Sequence, residues 1–509
     1  MSGAGRGKIP FGRGGAVAVA VTMAVGAGGV AVAAGVLGER PGRQADGGIL
    51  LPTGQTVTPR GRQVEFPGRP IAVALRPDGK TATVLNAAGR SLVVIDIATG
   101  TVKQQFTPQI DRASYAGLVY SADGDQLYAS QASGSIAVAE VADDGALSLA
   151  ARVELPQEDG NPYPGGLALS KDGEELYVAL SRDNALGVID LETRQLTARI
   201  PVGNAPHAVV VAAGKAYVTN QGGRRPDPGE PTNDSSGTPV VADAESGSAA
   251  SGTVSVVDLA ARRVERSVDV GLHPTEMALH GRRLFVTNTN SDTLSVIDTA
   301  RDDVVKTIEV KPFPRAPFGS SPNEVTMLGD DRLLVSLGRN NALAVYRYKG
   351  DAEAVRFEGL VPTGGYPASL AVDDDTQRVI VANNTGLSTA GAPGVGQNTG
   401  SASILRVPKR RAQLAHTTRQ VYDNNDWTKL RGHGVNRPEK AEPVPVPLKW
   451  GQPSTIKHVF YIIKENRTYD QVLGDVDRGE GDPSFATFGG DVTPNHHKLA
   501  EQFPLLDNT

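Results

Sequence analysis

Between Pro70 and Pro408 the hydrophobic and polar positions repeat as one pattern. A proline-containing entry leads into a short apolar strand, a turn and a second strand; a third strand ends in Asp, and a fourth runs on to the next entry. The clearest copies are 274–310 and 163–202. A third starts at Pro206, holds Tyr217-Val218-Thr219-Asn220 and, after an insertion, reaches Thr253-Val254-Ser255-Val256-Val257-Asp258. Further copies start near Pro70, Ser114, Pro322 and Tyr366. That makes about seven units at a spacing of about 44 residues, the range for four-stranded propeller blades. Within a unit the strands alternate as half-buried strands should, and in Leu294-Ser295-Val296-Ile297-Asp298 the apolar positions mostly face one way. Asp78-Gly79, Asp123-Gly124 and Asp172-Gly173 supply hairpin turns. One blade cannot bury its faces, whereas a closed ring hides both faces and most edges. The pattern therefore predicts a mainly β chain with an about seven-bladed β-propeller over 60–408.

The tetrapeptide Tyr217-Val218-Thr219-Asn220, echoed as Phe285-Val286-Thr287-Asn288, resembles the YVTN-type β-propellers of surface-layer and exported proteins. The resemblance speaks for architecture, because propellers host many activities. The Asn and Asp of such blades are expected to satisfy turn backbones. Two stretches break the pattern. Residues 222–252, rich in Gly, Pro, Ser, Asp and Glu, read as a flexible insertion in one blade, and 385–401 is Gly-rich. After Pro408 comes the basic cluster Lys409-Arg410-Arg411. Residues 412–434 read as partly helical and packed between domains, and Pro443-Val444-Pro445-Val446-Pro447 as a stiff linker. The connector thus spans 409–454, with a domain boundary near 440–455.

Composition narrows the picture. At 509 residues there is room for two or three domains, and 59 glycines with 34 prolines suit a turn-rich β protein. A formal charge of −5, with no concentrated Lys/Arg track, argues against nucleic acid as a partner. The absence of cysteine excludes disulfides, thiol catalysis and cysteine-held zinc. At the N-terminus Arg6, Lys8 and Arg13 precede an uncharged Ala/Val/Gly run over 14–38, with an A-x-A cleavage pattern at Ala31-Val32-Ala33. Residues 1–38 therefore read as a signal peptide or, through 15–38, a membrane anchor, and the protein as extracytoplasmic, either secreted or held on the outer face of the membrane. No adjacent Arg pair precedes the run, which argues against the twin-arginine route.

The C-terminal segment carries the candidate chemistry. His458-Val459-Phe460-Tyr461-Ile462-Ile463 ends abruptly in Lys464-Glu465-Asn466-Arg467. That is the form of a buried parallel strand delivering polar residues to its carboxyl edge, where open α/β sheets place ligands. Read from spacing alone, it is equally the form of any buried strand ending in solvated polar residues. The run also resembles the opening of the bacterial phosphoesterase family, the acid phosphatase and phospholipase C-like enzymes of the alkaline phosphatase superfamily. The match continues through Thr468-Tyr469-Asp470, Gly481-Asp482-Pro483, Phe488-Gly489, Asp491-Val492-Thr493-Pro494-Asn495 and Leu505-Leu506-Asp507-Asn508. The resemblance implies that 455–509 is the N-terminal fragment of an α/β phosphoesterase domain, with Glu465 and Asn466 as ligands of a divalent metal ion. Both offer hard oxygen donors suited to such an ion. Arg467 could hold phosphate oxygens in a bidentate grip, or form an outward ion pair. His496 and His497 fall in the first turn of a helix with Thr493 as N-cap and Pro494 behind it; adjacent helical residues diverge and do not readily share one ion. Asp470 and Asp475 read as solvated or capping groups.

The family's nucleophile, a Ser or Thr, is expected beyond Thr509, and its later Asp and His ligands further still. The 509 residues alone are thus expected not to hydrolyse phosphate esters, and a complete form to be a metal-dependent hydrolase acting on them. The alternative is a non-enzymatic extracellular or cell-surface binding module, with its ligand at the central mouth of the propeller. Redox or lyase chemistry lacks a cofactor signature.

Overall fold

The computed structural model describes residues 42–506 apart from 46, 52–53, 88–89, 108–112, 158–159, 236, 314–315, 317, 351–354, 386–398, 429–441, 448–451 and 480. The expected targeting segment 1–38 lies outside these residues. So do most of 385–401, the end of the predicted helical stretch, and Asp507 and Asn508 of the C-terminal match.

Seven four-stranded antiparallel sheets follow one another along the chain. Their first strands are Pro70–Leu75, Ala113–Tyr120, Pro164–Leu169, Asn204–Ala212, Pro274–His280, Pro322–Leu328 and Gly365–Asp373, and they define blades 1 to 7. Each first strand touches the first strands of the blades on either side, and that of blade 7 touches blade 1, so the sheets close into a ring. Closure is made by an element from outside the repeat. The strand Arg62–Pro67 pairs with Thr399–Leu405 as the fourth strand of blade 7, in register from Thr399 opposite Pro67 to Ile404 opposite Arg62. This leaves no open edge at the seam where the ring begins and ends.

The core is not one body but seven interfaces. Phe285, Leu294 and Val296 of blade 5 pack with Val325, Leu333 and Val335 of blade 6. Tyr217, Val254 and Val256 of blade 4 pack with Met277, Leu284 and Ile297 of blade 5. The remaining five interfaces are built alike. This corrects the half-buried reading for the second and third strands of the blades, whereas outer strands such as Asp303–Glu309 stay partly exposed. Along Thr293–Asp298, Leu294 and Val296 face blade 6 whereas Ile297 faces blade 4, and every residue after Thr293 is buried. The period of two thus divides one neighbour from the other rather than core from solvent.

The repeated tetrapeptide has a specific task. The Thr219 hydroxyl accepts from the Ala208 N–H (2.9 Å) and donates to the Thr275 carbonyl of the next blade (2.9 Å). Thr287 likewise accepts from the Glu276 N–H and donates to the Asn323 carbonyl (3.0 Å). Each threonine therefore fixes the first strands of two successive blades, which is where the channel residues lie. The expectation that Asn and Asp satisfy turns holds for Asp and for some Asn, such as Asn86, Asn184 and Asn341, which accept from the Arg69, Ala205 and Tyr366 N–H groups. Asp96, Asp190, Asp258 and Asp298 accept turn N–H groups. The amides of Asn220, Asn288 and Asn383 instead reach hydroxyls on the third strand, Ser255, Ser295 and Ser403 among them.

The insertion 222–252 is folded, not a loose excursion. Thr232–Ser235 and Thr238–Val241 form a hairpin, Val240, Val241 and Ala242 are buried, and Arg224 grips Glu230 through both terminal nitrogens (2.7 and 2.6 Å). Asn204 Nδ2 ties the hairpin down through the Arg224 and Pro239 carbonyls, both at 3.1 Å. Polar composition misleads here because short-range pairing and three apolar residues suffice to seat it. Beyond the ring, helix α1 (Arg411–Asn424) packs on blade 6, where Thr417 and Thr418 bond the two backbone groups of Leu360 and Tyr422 enters the blade 5–6 core. Two short helices follow, α2 (Tyr469–Leu473) and α3 (Pro494–Gln502). No helix among the described residues is long and apolar enough to cross a membrane.

Candidate functional site

The first strands surround a central cavity of 860 Å³, lined among others by Arg69, Tyr163, His207, Glu276, Glu324 and Tyr366. Local backbone geometry puts polar groups there. In blades 3 to 7 the residue before the entry proline is left-handed: Tyr163 (φ 52°), Ala205 (50°), His273 (52°), Ser321 (51°) and Tyr366 (51°). A residue before proline avoids the right-handed helical region, and a left-handed side-chain-bearing residue costs about 1–3 kcal/mol. Five such positions in equivalent places are a constraint met repeatedly. Just after the proline the pairing with the second strand slips, between Pro206 and Val209, Pro274 and Met277, and Pro322 and Val325. A bulge of this kind re-aims the residues it contains. Those residues are His207-Ala208, Thr275-Glu276 and Asn323-Glu324, and all six line the channel.

The two glutamates come from neighbouring blades. Glu276 Oε1 lies 3.5 Å from His207 Nε2. Glu324 Oε2 accepts from the Ser369 hydroxyl (3.1 Å), which itself accepts from the Val73 N–H (3.2 Å). Enclosure by the ring raises the Glu324 pKa well above the usual carboxylate range; the Glu276 charge adds to this, and the Ser369 bond opposes it. Its side chain still meets the open channel and is only partly shielded from solvent, so the raised pKa reflects a confined site rather than a dry one. At the rim, Arg182 lies over the Tyr163 ring at 5.5 Å. His273 is pushed down to about 4 by burial and by His207, so it is a neutral imidazole at neutral pH. The arrangement sets two carboxyl groups and the Tyr163 and Tyr366 rings in the channel wall, with Arg182, His207 and His273 gathered beside Tyr163.

Sequence reasoning missed this site, although a signal was present. Two residues after the entry proline, three blades carry Ala72, Gly166 and Ala208, as a crowded channel demands, while blades 5 and 6 carry Glu276 and Glu324. An ionisable side chain where the repeat calls for a small one marks the position.

The predicted C-terminal residues stand elsewhere. Residues 456–463 form no strand, which corrects the buried parallel strand; across 459–463 exposure runs from 70% at Ile463 to 92% at Phe460. The physical reason is the lack of partners. A parallel strand needs a neighbour on which to lie, and the propeller strands already have theirs. Glu465, Asn466 and Arg467 are exposed, with Asn466 left-handed (φ 64°) and Arg467 over the Phe488 ring at 4.9 Å. Among the described residues no three His, Asp or Glu side chains gather as a metal would require. Two oxygen donors fall short of the six or more that a hard divalent ion takes. Glu465 and Asn466 by themselves supply only part of such a shell, and no chemistry is derived through the ion.

The two histidines part as helical geometry dictates. His496 Nε2 is 2.6 Å from Lys464 Nζ, whereas His497 joins Asp475 through Nε2 (2.7 Å) and the Thr493 carbonyl through Nδ1 (3.0 Å). Thr493 occupies the N-cap position, but its hydroxyl donates to the Phe488 carbonyl (2.8 Å) instead of capping the helix. The Asp475 bond raises the His497 pKa, and the His497 and Gly490 donors lower that of Asp475. The contact is therefore complete above the ordinary Asp pKa of 3.8 and below the ordinary His pKa of 6.5. It is lost as pH falls through the lowered Asp value or rises through the raised His value. Histidine Cε1–H NMR should show His497 titrating above 6.5 and returning to the ordinary value in Asp475→Asn; an unchanged midpoint in that variant would show that the pair does not set it.

No family model matches the chain, and no curated protein does. Solved structures do. A chain of the Kuenenia stuttgartiensis hydrazine synthase matches at 16% identity and TM-score 0.50, over 68% of this chain and 97% of that one. The structure of U3-55K matches at 12% identity and TM-score 0.51, with the same coverages. At such identities the likeness concerns the fold alone, and the fold it shares with this chain is the seven-bladed β-propeller.

Proposed function

We propose that this protein is a binding module that takes a small polar ligand, bearing amine or hydroxyl donors, in the mouth of its propeller channel. The observation that carries this is the Glu276–Glu324 carboxylate pair on adjacent first strands. Both are aimed inward by a bulge that follows a strained entry residue, in a cavity of a size that suits a small molecule. Acceptors held this way are costly to desolvate unless a donor meets them. The test is thermal melting of the protein against a panel of amines, amino acids and polyols. At least one class should raise the Tm by several degrees at about a hundredfold excess over its Kd. Glu324→Gln should weaken that ligand by about tenfold or more, since the amide keeps the size of the side chain but cannot ionise to meet a donor-bearing ligand. An unchanged response in Glu324→Gln would overturn the assignment. The N-terminal sequence, basic and then uncharged, supports an extracytoplasmic location, which cell fractionation checks.

A second reading rests on a different observation: five consecutive apolar residues, 459–463, stand in solvent beside an ordered segment. An exposed β-type run of this length calls for a sheet to cover it, and the order of motifs around it resembles the start of a phosphoesterase domain. On this reading the protein expressed from its full reading frame hydrolyses phosphate esters, and Glu465 and Asn466 serve the site that the remaining strands complete. Turnover of p-nitrophenyl phosphate or its bis ester is expected, with a loss of about a hundredfold or more in Glu465→Gln. No turnover with added magnesium, calcium, manganese or zinc would end this reading.

A further inference from the structure

Beside the channel a second cavity of 520 Å³ opens under the folded hairpin of blade 4. It shares Tyr163 and His207 with the channel, but its chemistry is opposite. Arg182, His207 and His273 line it together with Ser181, Gln221 and the hairpin's Thr238, and among the described residues no Asp or Glu does. Among the described residues Arg182 forms no ion pair, its guanidinium resting on the Tyr163 ring. The Thr238 hydroxyl oxygen accepts from Asn184 Nδ2 (3.4 Å), which leaves its own hydrogen to donate inward. His207 marks the border: Glu276 faces it from the channel side, and His273 lies near it on the other.

A guanidinium, two imidazoles, hydroxyls and an amide around one cavity form a donor-rich set, of which His207 alone among those named has a carboxylate, Glu276, beside it. Such a set recognises an oxyanion, where Arg gives paired N–H groups and the hydroxyls complete the shell. We infer that this cavity is a subsite for an anionic group, phosphate or carboxylate, of the ligand whose donor-bearing end enters the channel. This rests on the channel reading given above and adds to it the second half of the ligand. The insertion that departs from the blade pattern is then the element that builds specificity, since without the hairpin the cavity has no roof.

Titration of the full chain with inorganic phosphate and, separately, with acetate tests this by histidine Cε1–H NMR. Phosphate or acetate at millimolar concentration should move the His273 and His207 signals together, with one Kd, and leave His280, His416, His496 and His497 in place. The anion that moves them names the group. Arg182→Gln should weaken the effect about tenfold or more, and Thr238→Val by less. Absence of any shift at His273, or a shift whose Kd Arg182→Gln leaves unchanged, overturns the subsite. Phosphate bound here and lost in Arg182→Gln supports it even if every organic ligand proves indifferent to Glu324→Gln, a result that would remove only the channel reading.

Discussion

A chain lacking residues 42–67 is expected to lose cooperative folding of the whole ring, although every residue of the seven repeats except one strand remains. The deleted strand, Arg62–Pro67, is the fourth strand of blade 7 and pairs along its length with Thr399–Leu405. Val64 and Phe66 on it are buried against Val73, Ile95 and Ile380, at the interface between the last blade and the first. Burying two such side chains contributes about 3–6 kcal/mol. A domain has only about 5–15 kcal/mol in total. The loss also exposes the backbone edge of the strand ending at Leu405, which then seeks other partners. Circular dichroism melts should show a broad transition shifted down by 10 °C or more, or insoluble protein. A truncated chain that melted sharply within a few degrees of the intact one would show that blade 7 closes without this strand.

The second large effect is expected at Gly117. It lies on the first strand of blade 2 at φ 94°, a left-handed backbone. A Cβ there would stand 2.0 Å from the Gly165 carbonyl oxygen of blade 3 and 2.3 Å from the Ser130 hydroxyl. The oxygen belongs to backbone, so relief requires two blades to part. Overpacking of this kind costs about 1–3 kcal/mol, and the left-handed backbone adds about 1 kcal/mol when glycine is replaced. Gly117→Ala should therefore destabilise the protein by about 2–4 kcal/mol in urea unfolding. Because Gly117 also lines the channel, weaker ligand binding should accompany the loss. By contrast, Gly173, also left-handed, has open space around it, and its alanine variant should lose only the backbone share. Equal effects at both positions would contradict the close-approach account.

Much of this architecture is legible in the sequence. The entry prolines, the Asp-Gly turns and the third strands ending in Asp locate the blades, because each encodes a local constraint that tertiary packing does not override. Ring closure was not legible. Arg62–Pro67 carries no repeat signature, and only the missing fourth strand after Leu405 hints that another segment must supply it. The two-sided burial of the strands was misread, since a period of two looks the same whether the second face meets solvent or a neighbouring blade. The hairpin within 222–252 was hidden by its polar composition. The channel carboxylates were overlooked for a different reason: they lie inside the repeat, where Pro-x-Glu reads as one more variable position until bulge and backbone strain show where the side chain goes. At the C-terminus, burial of the apolar run around Phe460 depends on partner strands and cannot be read from the run itself.

The central claim is that the ligand sits in the channel, and calorimetric titration of Ala72→Phe against the intact protein tests it most directly. Ala72 lines the cavity from blade 1 and carries no polar group of its own, so a phenyl ring there fills space without removing any recognising group. With the ligand that raises the Tm of the intact protein, the account predicts that Ala72→Phe folds normally and binds at least tenfold more weakly, about 1.4 kcal/mol. Binding of equal strength by a folded Ala72→Phe protein would place the ligand outside the channel and contradict the account.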